Sequence, residues 1–216
     1  MLFENINFLL HERGAPSLSG EEFLALNPDD LWDLISQLGV PFETLNQIDL
    51  AKRGQLLKSK SIKLLVLDVD GVFTDGGLYY SSNGEDAKKF NVKDGMAIKK
   101  AADKGLEIGI ISASSKSEVV KIRAEILGIQ NVYVGSTPKL EILESWLYQK
   151  GIGFENVAYV GDDINDVPIL KKVGLAAAPK DAVLQARQAA HIVLQRAGGQ
   201  GCIRELIEGY LTSISD

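Results

Sequence analysis

Histidine and cysteine are nearly missing from this chain: His11, His191 and Cys202 are the only three in 216 residues. The two histidines lie far apart, so zinc sites built on Cys and His, or a Ser-His-Asp triad, find little support. A lone cysteine excludes an intrachain disulfide and fits a reducing compartment. Basic residues are not in excess either: the net charge is −6, which argues against a nucleic-acid partner. No apolar run approaches the roughly 20 residues that span a bilayer, so no membrane insertion is expected. The N-terminus shows no basic region followed by a long apolar segment, so no signal peptide is expected and the chain is read as cytoplasmic. Any metal chemistry must rest on carboxylates.

Carboxylates are present in a telling place. Leu64-Leu65-Val66-Leu67 is an uninterrupted apolar run, the mark of a strand buried on both faces of a parallel sheet. It breaks into Asp68-Val69-Asp70-Gly71 and a turn reaching Gly77. In open α/β sheets, ligands bind beyond the carboxyl ends of the strands, where these two acids would sit. Alternation in an extended chain would send both to one side. Like charges so close call for a cation or a proton, and a hard divalent ion is the natural candidate.

Residues 1–60 read as a separate helical extension. Ser19 to Glu22 is a capping box, and Asn27-Pro28-Asp29-Asp30 is a second helix start before Leu31, Trp32, Leu34, Ile35 and Leu38. A further helix is expected over residues 42–57. Beyond Gly77, Asn83-Gly84 between extended segments signals a β-hairpin beside the acid pair, a candidate flap. Strands and helices then alternate. Strands are expected over 106–111, 131–134, 157–160, 175–178 and 192–194. Helices are expected over 95–103, 116–127, 138–149, 165–172, 182–189 and 202–211. Repeated βα units imply a Rossmann-like, doubly wound parallel α/β sheet over residues 61–216.

Three further strand ends carry polar residues. The run Ile108 to Ile111 ends in Ser112-Ala113-Ser114-Ser115, where a hydroxyl and helix-start amides suit a phosphoryl oxygen. Ser112, nearest the strand, is favoured for the ligand, with Ser114 or Ser115 capping the next helix. Lys139 opens a helix, where the dipole disfavours a cation unless the ammonium reaches an anion. Val157 to Val160 runs into Gly161-Asp162-Asp163-Ile164-Asn165-Asp166, more acids than capping needs. An acid pair, a hydroxyl, a lysine and a second acid cluster form the inventory for phosphoryl transfer.

These residues resemble the haloacid dehalogenase superfamily, whose signature is D-x-D at the first strand end and G-D-D-x-x-D at the fourth. More narrowly, Asp68 to Gly76, Phe90 to Gly95, Gly161-Asp162-Asp163 and the late Arg196 to Gly201 are similar to the octulosonate 8-phosphate phosphatase group. The resemblance implies Mg²⁺ and an aspartyl-phosphate intermediate. Asp68 would be nucleophile and metal ligand. Asp70 would be general acid/base and would bind the metal through its backbone carbonyl. Asp162 would be the third metal ligand, with Ser112 and Lys139 holding the phosphoryl group. Asp166 would order the metal's water shell or Lys139, with Asp163 beside it. Thr74, Asp75, Lys93, Gly95 and Arg196 are further candidate substrate contacts.

Two departures stand out. Ser112-Ala113-Ser114 replaces the group's usual Thr-Gly-Arg, and Lys93 stands where Arg is common. Both leave open whether the sugar acid has eight carbons or nine, as in sialic-type acid phosphates. The spacings from Gly95 to Ser112 and from Ser112 to Lys139 leave no room for a cap domain. The resemblance implies a homotetramer in which a neighbouring subunit helps close the site. Two other classes remain in view, a phosphoaccepting receiver domain and a catalytically silent oligomerisation module. Receivers split their acids differently, with the acceptor Asp on a later strand than the acidic pair.

Overall fold

The structure, a computed structural model, describes residues 2–12, 14–38, 42–47, 62–82, 84–114 and 118–211. It divides into two compact units, residues 1–59 and 60–216.

The first unit is helical: α1 (Leu2–Glu12), α2 (Gly20–Ala25), α3 (Pro28–Leu38) and α4 (Phe42–Gln47). The capping box at Ser19 is formed, with Glu22 N donating to Ser19 Oγ and Ser19 N to Glu22. Asn27 accepts from Asp30 N at 2.9 Å at the start of α3. Ile6, Ile35, Leu38 and Leu45 form a small core of their own. The expected helix over 42–57 is seen to Gln47, and its remainder lies outside the described residues.

The second unit holds a six-stranded parallel sheet. Its strands are β1 (Leu64–Leu67), β4 (Glu107–Ser112), β5 (Asn131–Val134), β6 (Val157–Val160), β7 (Leu175–Ala178) and β8 (Ile192–Val193), in the order β5-β4-β1-β6-β7-β8. β1 is central, with Leu67 in register with Ile110 on one side and Val160 on the other. All four of its side chains are buried, as a strand covered on both faces requires. The chain leaves β1 for β4 and β5, then crosses to β6 on the opposite side. That reversal of strand order makes the carboxyl end of β1 the topological switch point, where ligands bind in such sheets.

Helices α5 (Val92–Asp103), α6 (Glu118–Leu127), α7 (Lys139–Lys150), α8 (Val167–Leu170), α9 (Leu184–Ala189) and α10 (Cys202–Tyr210) flank the sheet. Leu64 and Val66 pack with Leu143, Leu147, Ile169 and Leu170 of α7 and α8. The pleat sends Leu65 and Leu67 to the opposite face. A two-stranded hairpin, β2 (Tyr79–Ser81) and β3 (Gly84–Ala87), leaves the first strand, as expected. Among the described residues, only the turn Val69–Phe73, this hairpin and α5 stand between β1 and β4, and only α6 between β4 and β5. No cap domain interrupts either crossover among the described residues.

Several boundaries differ from expectation for local reasons. α5 begins at Val92 rather than Gly95, because Asn91 caps it through a bond from Lys93 N at 2.8 Å. The helix expected over 165–172 is a 3₁₀ turn, Ile164–Asp166, followed by the four residues of α8. Pro168 in its first turn supplies no amide there. α6 is described from Glu118, and α9 begins at Leu184 after extended Val183.

Candidate active site

β1 ends at Leu67, and Asp68 N still donates to Val160 O at 3.0 Å. Beyond it, Val69–Phe73 winds into a tight turn closed by Thr74 N donating to Val69 O at 2.9 Å. Asp68 keeps extended backbone angles, Asp70 lies within this turn, and both line the cavity at the strand ends. Gly71 makes the turn possible in two ways. Its φ is 82°, and a Cβ there would overlap the Asp162 carboxylate.

A glycine pair, Gly198 and Gly199, holds the turn from outside. Gly199 N donates to Val72 O at 2.9 Å, and a Cβ on Gly198 would overlap the Gly71 carbonyl oxygen. The Asp94 carboxylate fastens the same segment, accepting from Gly201 N at 3.2 Å and Arg204 N at 2.8 Å at the start of α10. Burial pushes Asp94 upward against those two amides.

The strand ends meet in a cavity of about 300 Å³ lined by Asp68, Asp70, Lys88, Ser112, Lys139 and Asp163, with Leu78, Ala113, Ser114 and Asn165 at its walls. Ser112 is the last residue of β4, and its Oγ accepts from Ser114 N at 3.2 Å. Ser114 lines the cavity, while Ser115 lies outside the described residues.

Lys139 opens α7 with its ammonium buried. Its Nζ lies 2.8 Å from Asp68 Oδ1 and 2.7 Å from Asp166 Oδ1. Asp166 is fully buried and spends both oxygens on the scaffold. Oδ1 also accepts from Tyr159 OH at 2.5 Å, and Oδ2 accepts from Asp162 N at 3.0 Å and Asp163 N at 3.1 Å. Asp163 caps the 3₁₀ turn, accepting from Ile164 N at 2.7 Å.

One ammonium among three carboxylates leaves negative charge in excess. Burial works against Lys139, but Asp68 and Asp166 outweigh it and hold the lysine above its usual range. Burial, and then the charge of Asp166, raise Asp68 well above the ordinary carboxylate range. The same two causes push Asp162 up to about 7.

Asp68, Asp162 and Asp166 offer oxygens within 4.8 Å of one another, close enough for a metal ion. Asp166 already accepts four hydrogen bonds, so the two carboxylates with capacity are Asp68 and Asp162. Asp162 Oδ1 is buried with no partner among the described residues. An unpaired acid oxygen beside a raised carboxyl is what a hard cation would satisfy, so the donor set fits one.

The haloacid dehalogenase-like hydrolase model matches residues 84–174. The 3-deoxy-D-manno-octulosonate 8-phosphate phosphatase KdsC of Escherichia coli (strain K12) is 42% identical over 153 residues, covering 71% of this chain and 81% of the relative. The chain belongs to the octulosonate 8-phosphate phosphatase family. It is a phosphatase of the haloacid dehalogenase-like hydrolases. A probable yrbI family phosphatase from Pseudomonas syringae pv. phaseolica 1448a is 40% identical with a TM-score of 0.71, over 74% of this chain and 92% of that one. The Moraxella catarrhalis octulosonate phosphatase, solved with magnesium, phosphate and KDO, is 30% identical with a TM-score of 0.70, over 76% and 92%.

Not every residue that the octulosonate phosphatase resemblance singles out reaches the cavity. Asp68, Asp70, Ser112, Lys139 and Asp163 line it, with Asp162 and Asp166 packed against Asp68 and Lys139. Thr74 is buried in the turn, its Oγ1 donating to Val69 O at 3.1 Å. Asp75 pairs with Lys89 at 3.0 Å on the surface, and Lys93 is exposed in the first turn of α5. Gly95 makes room for the Arg123 guanidinium, which lies over Phe73 and Phe90. Arg196 is exposed, its amide donating to Glu205 at 2.9 Å.

Two residues of the site escape a linear reading. Tyr159 is a core residue of β6 whose hydroxyl reaches Asp166. Lys88 follows β3 and pairs with Asp70 at 2.6 Å. A lysine among Ala87-Lys88-Lys89 has no sequence signal of its own. The only available hint is that it sits on the return arm of a hairpin launched beside the acid pair.

Proposed function

We propose that this chain hydrolyses 3-deoxy-D-manno-octulosonate 8-phosphate to the free sugar acid and phosphate, with Asp68 as nucleophile. The observation that carries this reading is the buried Asp68 carboxylate held by Lys139 at the cavity floor, 2.8 Å away. Lys139 orients the attacking oxygen and, with the Ser112 hydroxyl, faces the charge on the phosphoryl oxygens. Asp68 attacks phosphorus as the bond to the sugar oxygen breaks, and that oxygen takes a proton from Asp70. A water then gives its proton to Asp70 and attacks the phosphorus, releasing phosphate and restoring Asp68. Asp68, Asp162 and the Asp70 backbone carbonyl would hold Mg²⁺, which when bound neutralises charge between the carboxylates and the phosphoryl group.

A nine-carbon acid phosphate is the second reading. It is favoured by one observation: Ala113 and Ser114, standing where the group usually has Gly-Arg, line the cavity. Losing a planar donor fork at a substrate wall changes which acid fits. We also infer a cytoplasmic homotetramer. The cytoplasmic reading rests on the lone cysteine, which is buried and free. The tetramer rests on a cavity with no cap, which a neighbour would help close. No helix among the described residues is long and apolar enough to cross a membrane.

Side-by-side kcat/KM on the eight-carbon and nine-carbon acid phosphates tests the substrate. Activity is expected with Mg²⁺, absent with chelator and absent in Asp68→Asn. Turnover that survives Asp68→Asn removes the proposed nucleophile. Light scattering tests the assembly, and a fully active monomer overturns it.

A further inference from the structure

Lys88 is a buried cation that the reaction scheme above leaves unused. Its side chain is 1% exposed, while that of Asp70, its partner, is 37% exposed. An ammonium withdrawn from water needs an anion beside it, and a pair of merely surface value would leave both ends wet. The fold brings this lysine in deliberately. After β3 the chain returns to the turn that carries Asp70: Phe90 bridges Thr74 in antiparallel fashion, and the Phe73 and Phe90 rings meet at 5.0 Å. The Arg123 guanidinium lies over both rings. The hairpin's return arm and the acid turn are thus one packed unit, with Lys88 and Asp70 both facing the cavity.

We propose that Lys88 is a positioning residue that holds the Asp70 carboxyl for proton transfer to the leaving oxygen. Lys88 occupies Oδ1, at 2.6 Å, which leaves Oδ2 to exchange the proton. As the bond from Asp68 to phosphorus forms and the bond to the sugar oxygen breaks, the proton moves from Asp70 Oδ2 to that oxygen. The negative charge then left on Asp70 sits against the Lys88 ammonium. The inference rests on the role proposed for Asp70 above.

The test compares two leaving groups in one protein sample. The octulosonate phosphate releases an alkoxide that needs a proton, whereas p-nitrophenyl phosphate releases a stable phenolate that does not. In Lys88→Met, kcat/KM for the sugar phosphate is expected to fall by roughly 10- to 100-fold and that for the aryl phosphate by less than about threefold. Partial unfolding lowers both rates equally and cannot produce this split. If Lys88→Met yields no folded protein, Lys88→Gln is read by the same ratio. In an Asp70→Asn background the split is expected to vanish, because Lys88 has nothing left to position. Equal losses on both substrates, no loss on either, or a split that persists in Asp70→Asn overturns the inference. A wild-type enzyme that cleaves the aryl ester but not the octulosonate overturns the substrate reading instead. The ratio is then measured with another sugar phosphate that the wild type does cleave.

Discussion

Asp166→Asn keeps the shape of a buried side chain and changes only its charge and one acceptor. Asp166 accepts from Lys139 Nζ at 2.7 Å, Tyr159 OH at 2.5 Å, and the amides of Asp162 and Asp163 at 3.0 and 3.1 Å. An amide nitrogen cannot accept, so either the bonds donated by Lys139 and Tyr159 to Oδ1 or both backbone bonds to Oδ2 are lost. Bonds of this kind contribute about 1.5–3 kcal/mol when charged and about 1 kcal/mol when neutral, with a further penalty for leaving a buried donor unmade. One effect opposes this: removing a carboxylate relieves its repulsion with Asp68 and Asp162. That repulsion is one of the causes that raise both acids, second to their burial. A net loss of about 2–4 kcal/mol is expected, a shift in melting temperature of roughly 10 °C for a domain this size. Urea unfolding of the metal-free protein at neutral pH measures it, alongside kcat, expected to fall at least tenfold as Lys139 loses its second anchor. A variant as stable and as active as the parent would refute the claim that Asp166 organises the site.

Other consequences follow from the same geometry. In the metal-free protein the folded-state values of Asp68 and Asp162 lie above their unfolded values, Asp162 at about 7. The folded state therefore binds more protons, and this contribution to stability falls as pH rises from about 4 to about 7. Mg²⁺ should accordingly raise the urea midpoint more at pH 8 than at pH 5, and an equal rise at both would count against Asp68 and Asp162 as its ligands. Gly198→Ala places a methyl against the Gly71 carbonyl oxygen and should displace the acid turn. A loss of about 1–3 kcal/mol is expected, with kcat falling alongside, and unchanged kinetics would show that the late glycine segment does not hold the turn.

The polar strand ends were legible because each follows an apolar run too regular to be anything but a buried strand. Parallel pairing in register then brings Asp68, Ser112 and Gly161-Asp162 to one edge without further information. The lysine at the start of α7 was legible because its place beside a helix N-terminus is electrostatically wrong for a solvated cation. What stayed hidden depends on contacts between distant residues. The role of Gly95 lies in an arginine 28 positions later, whose guanidinium needs the missing Cβ. The Asp94 carboxylate meets amides at Gly201 and Arg204, more than a hundred positions on. The late glycine segment, noticed for its likeness to the octulosonate group, packs against the first strand's turn, and no local pattern states that partnership. Lys88 is hidden for the same reason.

The central claim is that Asp68 takes up the phosphoryl group, and covalent trapping tests it most directly. Asp70→Asn cannot activate the water of the second step, yet an aryl ester needs no proton to leave, so the phosphorylated enzyme should accumulate on that substrate. Borohydride reduces an acyl phosphate, and peptide mass spectrometry locates the reduced residue. The account predicts modification at Asp68, dependent on substrate and on Mg²⁺. Modification at another acid, or hydrolysis with none at Asp68, would contradict it.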